Sequence, residues 1–92
     1  MEIRYFVCGL GYDANDCITD YERSFGDFDT VEEAKEKFEE VIQKAENNLA
    51  EFFNDTPEVS CWHMQLEECE CTDEYDECID VIDEVNIYKM EV

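Results

Sequence analysis

No lysine or arginine occurs between Ala45 and Tyr88, and the whole chain of 92 residues has only six. A surface this poor in cations has little with which to replace the counterions of a phosphate backbone or of an anionic bilayer. Direct binding to nucleic acid or to a membrane surface is therefore not expected. Histidine is equally scarce: His63 stands alone, with no second imidazole to share acid–base work. The three glycines include Gly9-Leu10-Gly11, two glycines at the end of an expected strand and not a phosphate-cradling loop. No stretch approaches the roughly 18 apolar residues of a membrane span. The apolar run after Met1 is too short for a secretory signal and ends without a small-residue cleavage site, so a cytoplasmic protein is expected. Carboxylates are too abundant for any pair to single out a catalytic dyad. With no nucleophile–base motif beside them, the expectation is a protein that is not an enzyme.

What is present is acid and enough apolar matter to fold. Asp and Glu number 27, for a net charge of −21, yet 45% of residues are hydrophobic and 13% aromatic. Disordered acidic chains lack those aromatic and β-branched residues, so one folded domain over residues 1–92 is expected. At this length about 60–65% of the unfolded surface is buried on folding, a thin margin. Self-repulsion at −21 works against it, since small soluble domains usually carry a net charge of magnitude about 2–8.

The hydrophobic pattern predicts an α+β fold of order ββαββ: a four-stranded antiparallel sheet with one long amphipathic helix packed on one face. Residues 2–10 alternate, with Ile3, Tyr5 and Val7 on one side and Phe6, Cys8 and Leu10 on the other. Both sides are apolar, which marks a central strand and places Cys8 in the core. Turn residues at 11–16 lead to a second strand at 17–28. Val31, Ala34, Phe38, Val41, Ile42, Ala45, Leu49, Phe52 and Phe53 form one helical stripe from about Thr30 to Phe53. Thr30 and Glu33 suit a capping box at its start, and Glu33–Lys37 and Glu40–Lys44 have i,i+4 spacing. Residues 58–68 alternate again, with Trp62, Met64 and Leu66 opposite Cys61, His63 and Gln65. Residues 73–90 fit two patterns. Tyr75, Cys78, Ile79 and Ile82 suit a short helix capped by Thr72. Ile79, Val81, Val85 and Ile87 suit a strand with a bulge near Asp83, and the β-branched content favours the strand.

Six cysteines (Cys8, Cys17, Cys61, Cys69, Cys71 and Cys78) raise the question of metal. Cys61-x-His63 and Cys69-x-Cys71 are spaced by one residue, whereas zinc sites generally use pairs two to four residues apart. In the cytoplasm reduced thiols are the simplest expectation, so no cofactor and no dedicated metal site are expected. Calcium fares no better, because Asp73–Cys78 lacks the ligand alternation and the glycine of an EF-hand loop.

The charge is unevenly placed. Residues 1–44 carry a local net of −7 and residues 45–88 one of −14. The densest part holds Glu67, Glu68, Glu70, Asp73, Glu74, Asp76, Glu77, Asp80, Asp83 and Glu84, ten acids in eighteen residues interleaved with Cys, Tyr and Ile. A solvated acidic face is one reading of such a run. The other is a rigid scaffold that presents carboxylates where a partner expects phosphates. Same-face strand residues repeat at about twice 3.3 Å, close to the spacing of phosphates along one nucleic-acid strand. In size, acidity and acidic hairpin the chain resembles the small DNA-mimic inhibitors of phages and mobile elements, of the anti-CRISPR or anti-restriction type. The resemblance implies that Glu67–Glu84 occupies the nucleic-acid cleft of a basic nucleic-acid-binding protein such as a CRISPR or restriction nuclease. The alternative is a small acidic accessory domain that binds another basic protein, or a metal through its Cys-rich segment.

Overall fold

The computed structural model describes residues 2–89. Six elements follow in order: β1 (Glu2–Tyr12), β2 (Ile18–Phe28), α1 (Val31–Asn47), α2 (Leu49–Phe52), β3 (Cys61–Cys71) and β4 (Asp76–Tyr88). The strands form one antiparallel sheet in the order β2-β1-β3-β4. The architecture is α+β, and β1 is an inner strand, as its two apolar sides require.

The helices cover one face. Val7 of β1, Trp62, Met64 and Leu66 of β3 and Ile87 of β4 meet Ala34, Phe38, Val41 and Ala45 of α1, with Phe53 and Val59 closing the end. Trp62 and Met64 are wholly buried because the central strand offers no side chain opposite them. Gly9 and Gly11 pair with Met64 and Trp62. A Cβ at Gly9 would lie 2.8 Å from Met64 Sδ, and one at Gly11 would lie 2.8 Å from Val59 Cγ2 and 3.0 Å from Thr19 Oγ1. These glycines lie within β1, not at its end, and they admit the bulk of β3 to the core.

The helical stripe is broken. At Asn48 (φ −150°, ψ 75°) the backbone leaves the helix; its N–H donates to the carbonyls of Lys44 and Ala45, and its side chain accepts from Glu51 N–H. Asn48 thus ends α1 and caps α2, and the single helix expected to reach Phe53 is two. The local competition of an Asn side chain for backbone groups explains the break. The other end carries half of the expected capping box: Thr30 Oγ1 accepts from Glu33 N–H at 3.3 Å, while the Glu33 carboxylate accepts from the Thr30 hydroxyl and not from its backbone N–H. Lys44 pairs with Glu40 at 3.6 Å, while Lys37 pairs with Glu40 at 3.0 Å and not with Glu33.

Of residues 73–90, Asp76–Tyr88 is strand, as the β-branched content indicates, and 73–75 belong to the turn before it; residue 90 lies outside the described residues. Two register shifts interrupt β3–β4, between Leu66 and Glu67 and between Glu68 and Cys69. They change which way β4 faces. Val85 and Ile87 pair with Met64 and Trp62 on the helix side, whereas Val81 pairs with Glu67 on the other. The four apolar residues Ile79, Val81, Val85 and Ile87 therefore do not share a face, because each bulge moves the alternation by one residue.

Candidate interaction surface

Helix and sheet differ in length. An α-helix of the 17 residues in α1 is about 25 Å long, and the 11-residue β3 spans about 36 Å. One end of the sheet therefore projects past the helix, and the molecule is elongated, 42 × 25 × 19 Å. The projecting end consists of Glu2–Arg4 of β1, Glu68–Cys71 of β3, and Asp76–Asp80 of β4 with the turn that joins it to β3.

All ten residues of the acidic run lie on this β3–β4 hairpin, but they do not make a single face. Glu68 pairs directly with Asp80, and Glu70 with Glu77. This quartet is on the helix side, where Tyr5 O–H donates to Glu68 at 3.2 Å. Asp83 pairs with Leu66 and is exposed. On the opposite side stand Glu67, Asp76, which pairs with Cys71, and Glu84, which pairs with Gln65. Asp73 and Glu74 occupy the turn. There Thr72 Oγ1 accepts from the N–H groups of Glu74 and Tyr75 and donates to the Tyr75 carbonyl. That knot fixes the hairpin end.

The electrostatics of the end are one-sided. Among the described residues none of the ten carboxylates has a Lys or Arg partner. Glu84 alone has an ion-pair contact, 3.8 Å from His63 Nε2, and His63 Nδ1 also meets Asn86 Oδ1 at 2.6 Å. Like charges placed directly across an antiparallel ladder destabilise it. The Tyr5 hydroxyl registers the field: burial first, then Glu68 and Glu32, push its pKa above the ordinary phenol value.

Further acids join the run through the fold alone. Glu32 reaches Tyr5 from the start of α1. Arg4 on β1 is held by Asp27, Asp29 and Glu2, and the Asp27 hydrogen bond is the main cause that raises its pKa. Arg4, the one Lys or Arg at this end among the described residues, is thus already paired. Sequence spacing gives no sign of these neighbours, because they arrive from β1, β2 and α1.

The other face of the sheet carries the thiols. Cys8 does not enter the core beneath the helix. It lies half-buried on the open side, since the glycines and Val7 take the covered side of β1. Burial and the adjacent Glu67 carboxylate push the Cys8 thiol up to about 12. Cys69 pairs across the ladder with Cys78, and burial, Cys78 and Glu67 push it also up to about 12. Burial and Asp76 raise Cys71, and burial and Glu67 raise Cys78. Thiols held protonated are weak nucleophiles. The pairs singled out by spacing, Cys61-x-His63 and Cys69-x-Cys71, are not what converges. Instead one oxygen of Glu67 and the sulfurs of Cys69 and Cys78 lie within 4.8 Å of one another.

At the covered end, Arg23 is laid between two rings, with Cζ 4.6 Å from the centroid of Phe52 and 4.4 Å from that of Trp62. It donates to the Phe52 carbonyl at 2.7 Å, and burial lowers its pKa. This cation serves packing.

No helix among the described residues is long and apolar enough to cross a membrane. Compared with protein families, with characterised proteins and with solved structures, the chain matches none.

Proposed function

We propose that this chain is an acidic interaction protein that occupies the basic nucleic-acid site of a nuclease or another nucleic-acid enzyme, in the manner of phage-borne anti-CRISPR and anti-restriction inhibitors. The observation that supports this reading is the like-charged ladder Glu68↔Asp80 and Glu70↔Glu77 at the projecting end. A fold that places carboxylates opposite one another, without a neutralising cation, forgoes stability that one Lys at any of these positions would recover. Solubility gives no reason for that arrangement, because acids scattered over the surface serve it equally well. A partner that brings its own Lys and Arg gives a reason: the repulsion is relieved in the complex, and counterions are released from the partner's site.

Rigidity favours the same reading. Glu68 and Glu70 on β3 are about 6.6 Å apart, Glu77 and Asp80 on β4 stand on either side of the bulge at Ile79, and the strands are about 4.8 Å apart. Two anions on each strand of a pinned hairpin present a fixed array at little conformational cost. Long-range attraction to a basic cleft raises the association rate and makes it sensitive to salt.

The test is a pull-down from host lysate at low and high salt with wild type and with Glu68→Lys/Glu70→Lys/Glu77→Lys/Asp80→Lys. A nucleic-acid enzyme should be recovered by wild type, released by salt and lost with the variant, whose circular dichroism should match wild type. If the folded variant captures the same enzyme as well as wild type does, the proposal is wrong.

A further inference from the structure

We propose that Cys69, Cys78 and Glu67 form a binding site for a thiophilic divalent cation of the zinc class, on the sheet face turned away from the helix. The ligand atoms come from two strands. Cys69 and Cys78 are direct cross-strand partners, and Glu67 stands two residues along β3 on the same side. Cys69 Sγ and Glu67 Oε2 are 3.9 Å apart, and all three ligand atoms fall within 4.8 Å. Ligands of a tetrahedral zinc with bonds of about 2.3 Å stand roughly 3.8 Å apart. The widest separation thus closes by about 1 Å, within the reach of a χ1 adjustment of the exposed Cys78.

A bulge makes this cluster. The register that pairs Glu67 with Val81 and Glu68 with Asp80 would, if continued, set Ile79 opposite Cys69. The shift after Glu68 sets Cys78 there instead. Bulges recur where a strand must re-aim a side chain, and here the re-aimed side chain is a second thiol.

The donor set fixes the class of ion. Two sulfurs and one carboxylate oxygen suit zinc or cadmium and disfavour calcium and magnesium, which take oxygen. In the metal-free chain the Cys78 thiol donates to the Asp80 backbone carbonyl at 3.6 Å, and that proton leaves when the thiolate binds an ion. The Cys8 thiol stands beside the Glu67 carboxylate on the same face of the sheet. Cys69 is nearly buried and Cys78 exposed, so the ion enters from solvent and keeps water in its fourth position. Binding would clip β3 to β4 across the second bulge, with Glu67 on one side of it and the Cys69–Cys78 pair on the other. It uses none of the helix-side quartet and stands apart from the partner-binding proposal.

Reduced, chelator-stripped protein is titrated with Zn²⁺ against a chromophoric chelator, and with Cd²⁺ by ultraviolet absorbance. One ion per chain is expected, with a thiolate-to-metal charge-transfer band and a raised melting temperature. Cys78→Ser, at an exposed position, should weaken binding by more than about 100-fold, beyond the loss typical of an outer partner. Cys69→Ser should do the same. Glu67→Gln, which keeps a weaker oxygen donor in place of the carboxylate, should weaken it by at least about 10-fold, the lower bound for an outer partner. Cys17→Ser, on the remote β1–β2 turn, should bind as wild type does. Absence of one-to-one binding by the reduced wild type overturns the site. So does wild-type affinity in a folded Cys78→Ser, or a Cys17→Ser as weak as Cys78→Ser.

Discussion

The two ends of β3 have the same secondary structure and the same two neighbouring strands, yet they live in opposite environments. From Cys61 to Leu66 the side chains toward the helix are Trp62, Met64 and Leu66, all without solvent exposure. From Glu67 to Cys71 the same side carries Glu68 and Glu70, each facing another acid. The difference is coverage: α1 and α2 lie over the first end and stop short of the second. Ladder hydrogen bonds hold both ends, but only one has the apolar burial that dominates folding free energy. Stability is therefore gathered at the Trp62 end, and the acidic end is carried on it as an extension. A small protein can bear a net charge of −21 in this way because most repulsion falls where little packing can be lost.

That contrast can be broken most directly at Trp62. Replacing Trp62 with Ala removes the largest buried side chain and the ring over which Arg23 lies; a loss of about 3–5 kcal/mol is expected in urea denaturation, close to complete unfolding for a domain of this size. A loss below about 1 kcal/mol would place the core elsewhere. Arg23→Ala sharpens the same end. It removes a cation from between two rings and a charged hydrogen bond to the Phe52 carbonyl, and should cost about 2 kcal/mol, with Arg23→Lys recovering only part because it cannot stack. If Lys recovers everything, charge alone matters there.

The smallest effect is expected at the acidic end and with the opposite sign. Glu70→Gln/Glu77→Gln removes one like-charged cross-strand pair. It should raise stability by about 0.5 kcal/mol at low salt, and the gain should shrink at 1 M salt, where the Debye length is about 3 Å. A gain that salt leaves unchanged would not be electrostatic. A loss would mean that the pair is not repulsive. On the proposed function the same variant should bind its partner less well, setting stability against binding at one pair of residues.

Several features could be read from single residues. Alternation of apolar side chains on both sides of residues 2–10 identifies an inner strand, because only a strand flanked and covered buries both sides. Thr30 with Glu33 marks the start of α1, since a cap acts through the next turn of its own chain. The ten acids are visible as a run and fall on one hairpin. Other features were illegible for equally local reasons. The end of α1 at Asn48 depends on an Asn side chain outcompeting the helix, while the apolar stripe runs on past it. The facing of β4 depends on two bulges: the one beside Asp83 shows in the sequence as an acid interrupting the apolar alternation, whereas nothing in the pattern marks the one at Ile79. Gly9 and Gly11 look like the end of a strand until Trp62 and Met64 are brought against them.

Sequence by itself determined the number and order of the strands (β3 runs Cys61–Cys71, three residues beyond the alternation at 58–68), the start of the helix and the concentration of charge in the second half, because these follow from periodicity, capping and composition within one segment. Tertiary structure decided the rest. It left one end of the sheet uncovered, placed Glu68 opposite Asp80 and Glu70 opposite Glu77, brought Glu2, Asp27, Asp29 and Glu32 to that end, and set Cys78 against Cys69. Each of these depends on register between strands and on how far a helix reaches, and neither is a property of any one segment.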